Sequence, residues 1–432
     1  MSGTLPQGGG DLVISSGVST DTRSIPAGAL FFALKGERFD AHDFLGQAVA
    51  SGAGALVVQD AQALPEGIPA VLVGDTLQAL QALAKWYQQE MDIPVVAISG
   101  SNGKTSTKDF VRAVLSQRYR VNATRGNLNN HIGLPLTVLA SSEGDEVGVF
   151  EMGMNHSGEL APLCEIARPE ISVITNVGTA HIEFMGSREA IALEKGTLAR
   201  ALDEKGTLLV PSDCDFIDDF RASTKGKVIA VGEGSIRAEN VVAGVAGSSF
   251  DLVVDDLGRV PASIAVPGRH MISNALLAAG VGVVLGVSLE EISVGLSTAQ
   301  LTSGRLRQYQ SDGITILDDT YNANPEAIIA ALHTLAESPC EGTRTAVLGR
   351  MAEQGEHAAP AYVRIGRLAS DLGLRLVTVG AEADSMAAPH HFETVEAAAE
   401  WLPKHTQPGD LILFKGSRTA AIERVMNLAY PE

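Results

Sequence analysis

Residues 94–110, P-V-V-A-I-S-G-S-N-G-K-T-S-T-K-D-F, constrain this chain more than any other stretch. An apolar run at 95–98 reads as a buried strand, a glycine-broken hexapeptide stops it, and Phe110, Val111, Val114 and Leu115 then recur at helical spacing. Strand, loop and helix in that order enter a parallel α/β sheet with the loop at a helix N-terminus. Glycines without Cβ let backbone N–H groups turn inward around phosphate oxygens, the helix terminus adds positive potential, Lys104 adds a mobile charge, and Thr105 offers a hydroxyl to Mg²⁺. The loop reads as a phosphate cradle. Its spacing is short, because only Ser101 and Asn102 separate Gly100 from Gly103, where the general P-loop has four intervening residues. A strand-to-helix turn with an incidental lysine would look the same locally. A nucleotide enzyme must therefore also carry metal carboxylates and a base-binding surface.

With 432 residues the chain has room for about three domains of ordinary size, each with its own core. A hydrophobic content of 45% with 5% aromatics fits α/β domains whose helices lie close on their sheets. No apolar run approaches the roughly twenty residues of a membrane span, and residues 1–10 lack the basic and apolar regions of a signal peptide. A cytoplasmic protein without integral membrane association is expected. Cys164, Cys214 and Cys340 are too few and too scattered for a zinc site or disulfide framework and read as reduced packing thiols. The net charge of −19 argues against nucleic acid as a partner. It does not exclude anionic substrates, since a cradle with Mg²⁺ dominates its own surroundings.

Short apolar runs at 30–34, 55–58 and 70–73 alternate with Ala-rich helical stretches and predict a small N-terminal α/β domain. Asp21, Thr22, Arg23 and Ser24, just before a P-A-G turn, read equally well as a surface turn or a binding loop. Pro94 biases the chain toward extended structure and opens a central unit. There, G-N-L-N-N-H at 126–131 brings Asn127, Asn129 and Asn130, too many amides for a core segment and suited to a polar ligand. The run at 147–151 reads as a strand with Glu151 at its C-terminal end, where open parallel sheets bind ligands. A similar ending at 171–175 leads to His181, which fits a structural role or a site. A helix is predicted over 189–202 with Lys195 and Gly196 inside it, and an internal glycine disfavours a helix by about 1 kcal/mol relative to alanine. Strands follow at 208–211 and 228–231, then an antiparallel hairpin of 250–254 with 260–266. Beyond a boundary at 303–305, four buried-strand runs at 314–317, 345–348, 376–379 and 411–414 alternate with helices. The whole is read as α/β in three domains: a small one at 1–92, a mainly parallel P-loop domain at 93–302, and a Rossmann-like doubly wound domain at 303–432.

The motifs converge on one family. The cradle G-S-N-G-K-T, G-N-L-N-N-H-I-G-L-P at 126–135, E-M-G at 151–153, N-V-G-T-A-H at 176–181, P-G-R-H-M-I-S-N-A at 267–275, D-D-T-Y-N-A-N-P at 318–325 and K-G-S-R at 415–418 resemble the Mur ligases. The segment at 21–36 resembles the N-terminal domain of the late-acting members. The amide-rich run, the Y-N-A-N-P string and the terminal K-G-S-R look like the members that add D-alanyl-D-alanine to UDP-N-acetylmuramoyl-tripeptide. Where the family usually has an acidic residue after Gly349 and a glutamate after the Lys195-Gly196 pair, this chain has Arg350 and Thr197.

The resemblance implies an ATP-dependent amide ligase that works through an acyl-phosphate. It assigns ATP to Gly100, Ser101, Asn102, Gly103, Lys104, Thr105 and Ser106, with Asn274 near the adenine, Arg305 near the transferred phosphate, and Asp319, Tyr321 and Asn322 from the third domain. It places one Mg²⁺ on Thr105 and Glu151 and a second at His181, helped by a carbamylated Lys195. Asp21, Thr22, Arg23 and Ser24 would hold the UDP end of the substrate, Asn127, Asn129 and Asn130 would also face substrate, and Lys415, Ser417 and Arg418 would receive the incoming dipeptide. The catalytic set is then Lys104, Glu151, His181 and Lys195, the partners are small molecules, and a monomer is expected. Two other amide ligases, one adding the third peptide residue and one of folylpolyglutamate type, fit the general pattern but not the runs at 127–131 and 415–418. A P-loop regulatory ATPase would leave the UDP-type N-terminal domain without a purpose.

Overall fold

Apolar runs too short for helices become strands where the chain buries both their faces, and each sheet here is built from such runs. The structure, a computed structural model, describes residues 3–7 and 11–431, so the expectation drawn from residues 1–10 falls partly outside it. The chain divides into two compact units. One comprises Met1–Ala97, Arg120–Gly153 and Glu159–Pro169; the other comprises Ile98–Tyr119, Met154–Gly158 and Glu170–Glu432.

The first unit holds a five-stranded sheet ordered Thr4–Gln7, Ala70–Leu72, Ala55–Val58, Leu30–Phe32, Val18–Ser19, parallel except for Thr4–Gln7. Alternation along the strands sends Phe31, Leu56 and Val58 to one face against Leu45 and Ala48, and Phe32 and Val57 to the other against Leu80. Helix Thr76–Met91 starts at Asp75, whose carboxylate accepts the Gln78 N–H at 2.8 Å, and stops at Asp92 in the left-handed region. In the same unit Val147–Glu151 runs parallel to Val121–Ala123.

Asp40 carries a measurable share of this unit's stability. Its carboxylate caps the short helix Ala41–Phe44 by accepting the His42 N–H at 3.0 Å and lies 2.6 Å from His42 Nδ1. The His42 backbone N–H, then the His42 ring and Lys35, hold the Asp40 carboxyl down to about 2 from its ordinary 3.8. Asp40→Ala is expected to cost about 1 kcal/mol at neutral pH. Because the folded value lies below the unfolded one, this contribution is full above about pH 4 and is lost as the pH falls through about 2. Denaturant melts of both proteins at pH 7 and pH 2 check it; an equal difference at the two pH values would refute the assignment.

In the second unit Ile171–Ile174, Thr207–Pro211, Lys227–Val231 and Ile236–Gly244 lie side by side in parallel, and Gly247–Val254 and Gly258–Ile264 continue the sheet as an antiparallel meander. The expected hairpin is present, extended by Ile236–Gly244, whose residues are mostly half-buried or exposed and so carry little periodic signal. A further six-stranded sheet runs Arg307–Ser311, Ile314–Asp318, Leu411–Lys415, Arg344–Leu348, Arg375–Val379, His390–Phe392. It is parallel but for the first strand, and the four expected runs are its four central strands. Ile316, Val347, Val377, Ile412 and Phe414 make its core with Leu402, Ile422 and Val425.

The helix predicted over 189–202 is two helices, Arg188–Lys195 and Thr197–Arg200, joined at Gly196. Gly196 keeps helical φ at −59°, and its N–H still donates to Ala192 O at 2.8 Å, so the two helices follow one another with little break beside Lys195. Among the described residues no helix is long and apolar enough to cross a membrane, and the three cysteines are free thiols.

Candidate active site

Strand Val95–Ser99 ends in the glycine loop, and helix Lys104–Leu115 begins at Lys104, leaving its first-turn N–H groups outside the intrahelical ladder and at the loop mouth. The loop is fixed from outside. Asn176 accepts the Ser101 N–H on its carbonyl at 3.2 Å and the Asn102 N–H on Oδ1 at 2.9 Å. Ser101 Oγ accepts the Gly178 N–H at 2.9 Å, and Thr175 Oγ1 donates to Asn102 O. Lys104 Nζ donates to Gly100 O at 2.8 Å, which folds the lysine back over the loop. Gly103 sits at φ +80°, and a Cβ there would meet Asn274 Oδ1 at 2.6 Å. Asn274 is therefore at the cradle's edge, buried together with Thr105 and Ser106.

Residues of the six-stranded sheet and the segment leading to it reach the same loop. Arg305 Nη2 donates to Thr105 Oγ1 at 2.8 Å, and its guanidinium lies 4.3 Å above the Tyr321 ring. Asn324 Nδ2 donates to Asn102 Oδ1 at 2.7 Å, and Thr179 Oγ1 donates to Glu326 Oε2 at 3.0 Å. Lys415, expected to receive a dipeptide, is buried and pairs with Asp319 Oδ2 at 2.6 Å while donating to Asn322 O at 2.9 Å. Burial pushes the Asp319 carboxyl up, against the opposing pull of Lys415 and Arg305. Ser417 is buried, with Oγ 3.2 Å from Thr419 Oγ1 and no capping bond of its own, and Arg418 is exposed near Glu423. The second unit thus brings Asn274, Arg305 and Asn324 onto the loop of Gly100 to Ser106, with Tyr321 under Arg305, and sets the cluster of Asp319, Asn322 and Lys415 beside Arg305.

Lys195 is 1% exposed. Burial, with the charge of Lys104 second and Glu194 opposing, pushes its ammonium well below the usual lysine range. His181, at φ +65°, starts helix Ile182–Met185, and its Nδ1 is 2.5 Å from Glu353 Oε2. The adjacent His181 ring holds the Glu353 carboxyl below its usual range. Of the two departures from the family pattern, Arg350 lies 3.2 Å from Glu382, and Thr197 Oγ1 accepts from Arg200 at 2.8 Å.

In the first unit Glu151 ends its strand with 2% exposure, and Asn129 Nδ2 donates to Glu151 Oε1 at 2.8 Å. Asn130 Oδ1 accepts the Gly133 and Ile132 N–H groups at 2.8 and 3.1 Å in the turn that enters helix Gly133–Leu139, and Asn127 O accepts the Asn129 N–H. Two of the three expected substrate amides therefore serve protein groups, one of them the carboxylate. Asp21 closes its loop on Arg23 with bonds of 2.9 Å from the backbone N–H and 2.7 Å from Nη2, which leaves the Arg23 stem and Thr22 and Ser24 at the surface of the turn. These bonds hold the Asp21 carboxyl down to about 2.

Sequence reasoning did not single out Asn324, Glu326 or Glu353. Asn324 and Pro325 end the D-D-T-Y-N-A-N-P motif, and an Asn-Pro pair opening a helical run is an N-cap signal, which Asn324 fulfils by accepting the Ala327 N–H at 3.0 Å.

Three family models match the chain: the catalytic domain of the Mur ligase family at 15–91, the Mur ligase middle domain at 98–282, and the Mur ligase, glutamate ligase domain at 304–418. UDP-N-acetylmuramoyl-tripeptide–D-alanyl-D-alanine ligase of Escherichia coli K12 is 37% identical, over 97% of this chain and 94% of its own length. The crystal structure of MurF from Acinetobacter baumannii superposes with a TM-score of 0.89 at 33% identity, covering 95% of this chain and 92% of that one. MurF ligase from Thermotoga maritima, solved in complex with ADP, gives 0.86 at 27% identity, covering 96% and 97%.

Proposed function

The chain belongs to the Mur ligase family, and from that premise we propose that it is an ATP-dependent amide ligase joining D-alanyl-D-alanine to UDP-N-acetylmuramoyl-tripeptide. The observation that carries this reading is the set of groups converging on the cradle, Arg305 on Thr105 above all, in a chain similar over 97% of its length to a ligase of that name.

Amide formation from a carboxylate and an amine is uphill in water. The carboxylate oxygen first attacks the γ-phosphorus of ATP, giving the acyl-phosphate and ADP; the dipeptide amine then attacks the acyl carbon, phosphate leaves with the C–O electron pair, and the amine loses a proton. The protein's task is to position clustered anions and offset their charge. Lys104 and the first-turn N–H groups of helix Lys104–Leu115 hold the β- and γ-phosphates while Gly100 to Gly103 shape the loop around them, Arg305 faces the transferred phosphoryl group, Asn274 faces the adenine, and Asp319, Tyr321 and Asn322 complete the nucleotide's surroundings. Lys415, committed to Asp319, sets that carboxylate in place, and Ser417 with exposed Arg418 meets the dipeptide carboxylate.

The donors available suit Mg²⁺. Thr105 carries a hydroxyl oxygen and Glu151 a carboxylate oxygen, each of the hard donor type that Mg²⁺ takes beside substrate phosphates and its own waters. A second ion falls to His181 and Lys195. A buried neutral amine is the form that adds CO₂, turning a cation into an anionic oxygen donor, and Lys195 has the burial this needs. Bound Mg²⁺ would supply charge neutralisation during phosphoryl transfer. Residues 1–92 then hold the UDP end through Asp21, Thr22, Arg23 and Ser24, residues 93–302 hold ATP, and residues 303–432 close over it, in a monomer working in the cytoplasm.

The test is phosphate release from ATP and Mg²⁺ with UDP-N-acetylmuramoyl-tripeptide and D-alanyl-D-alanine supplied separately and together. Release requiring both, with a UDP-linked pentapeptide by mass, is the expected result. Release with neither acceptor would instead mark a regulatory ATPase.

A further inference from the structure

The reaction described above leaves one buried ion pair on the cradle helix unused. Lys108 Nζ and Asp109 Oδ1 are 2.8 Å apart with both side chains buried. The other oxygen, Asp109 Oδ2, accepts two bonds from Thr302, 193 residues away: the backbone N–H at 2.8 Å and Oγ1 at 2.9 Å. Thr302 belongs to the segment between helix Leu289–Thr298 and strand Arg307–Ser311, the segment that also carries Arg305.

The two ends of the contact are in register. Thr105 and Asp109 are four residues apart on helix Lys104–Leu115, one turn along the same face. Thr302 and Arg305 meet them in the reverse order, Thr302 on Asp109 and Arg305 on Thr105, so the segment runs antiparallel to the helix. Local backbone preference alone does not hold this segment: Leu306, next to Arg305, has φ +55°, a region that leucine adopts at a cost, whereas Gly304 on the other side takes φ +76° freely. The segment is also held at Gly304, whose carbonyl accepts the Tyr321 N–H at 3.2 Å, and at Leu306, which is buried; beside Thr302 and Arg305 lies a cavity of about 490 Å³, lined among others by Phe110, Val266, Leu301 and Tyr309. Arg305 Nε and Gln308 Oε1 are both buried without a hydrogen-bond partner among the described residues.

We propose that Asp109 is a positioning residue: by tethering Thr302 to the cradle helix it holds Arg305 on Thr105, where the transferred phosphate is to be stabilised. The inference deepens the ligase reading and rests on it for its catalytic consequence, while the tether itself is a property of the substrate-free chain.

Two measurements test it. Hydrogen exchange of substrate-free protein should show residues 299–306 losing protection at least roughly tenfold in Asp109→Asn, which keeps the volume but replaces one accepting oxygen by a donor. In steady-state kinetics Asp109→Asn should lower kcat roughly 10- to 100-fold with a much smaller change in the KM for ATP, as expected of a group that orients one acting in the transition state. In an Arg305→Ala background the same change should cost nothing further, whereas a general loss of stability would multiply through. Thr302→Val, which removes only the hydroxyl donor, should show a smaller loss in the same direction, and Thr302→Ser should restore most of it; these variants serve even where Asp109→Asn folds poorly. Unchanged exchange at 299–306, or multiplicative losses in the double variant, would overturn the proposal. A wild-type protein that does not couple phosphate release to the two peptide substrates would overturn the ligase reading instead, and the exchange result would still decide the tether.

Discussion

Lys195→Ala is expected to lower turnover by roughly 10²- to 10³-fold, the range seen when one group stabilising transition-state charge is removed, and to regain part of it in millimolar formate or acetate. The expectation follows from where the amine sits. A lysine that is 1% exposed cannot keep its charge at ordinary cost, and desolvation, with Lys104 second, drives it toward the neutral form. A structural lysine of that kind would be replaced by an apolar residue at little loss of turnover. A lysine carrying a carbamate would leave a space and a missing anionic oxygen pair, which a small carboxylate can fill. Steady-state phosphate release in the variant, with and without formate, separates the cases, and full activity without any additive would end the carbamate assignment. Intact-protein mass alone would be a poor substitute, because a carbamate is lost on acidification.

Glu151→Gln is expected to reduce Mg²⁺-dependent turnover by about 10²-fold and to raise the Mg²⁺ concentration for half-maximal rate at least tenfold, with little change in unfolding temperature. Glutamine keeps the shape and can still meet the Asn129 amide through its carbonyl, so packing is nearly conserved while the charge that a hard cation requires is gone. Asn129→Ala should shift the Mg²⁺ titration in the same direction by a smaller factor, since it frees the carboxylate rather than removing it. Should the Mg²⁺ titration of Glu151→Gln coincide with that of the wild type, Glu151 has no part in holding the metal.

The local elements were legible because local rules make them. The cradle announces itself in six consecutive residues, and each of the four central strands of the last sheet is a run buried on both faces, which periodicity reports without any knowledge of neighbours. Edge strands were not legible: Arg307–Ser311 reads R-Q-Y-Q-S and exists because it pairs with Ile314–Asp318 residue for residue, not because it hides an apolar face. The division at Gly196 showed in the sequence only as a glycine inside a helical run.

The candidate site divides the same way. Residue types and order in the motifs determined which chemistry this chain is equipped for, because phosphate binding, metal ligation and nucleotide contact each need particular groups at particular local spacings. Which of those groups face each other was decided by the tertiary structure alone. Arg305 meets Thr105 across 200 residues, Lys415 turns to Asp319 across 96, and Asp109 takes Thr302 across 193. Those partners are brought together by sheets and helices packing as whole bodies, and no local pattern encodes the distance between two points that only such packing makes neighbours. Lys195 follows the same rule. In the sequence it is a lysine on a helix, and only the fold removes its water and so changes its chemistry.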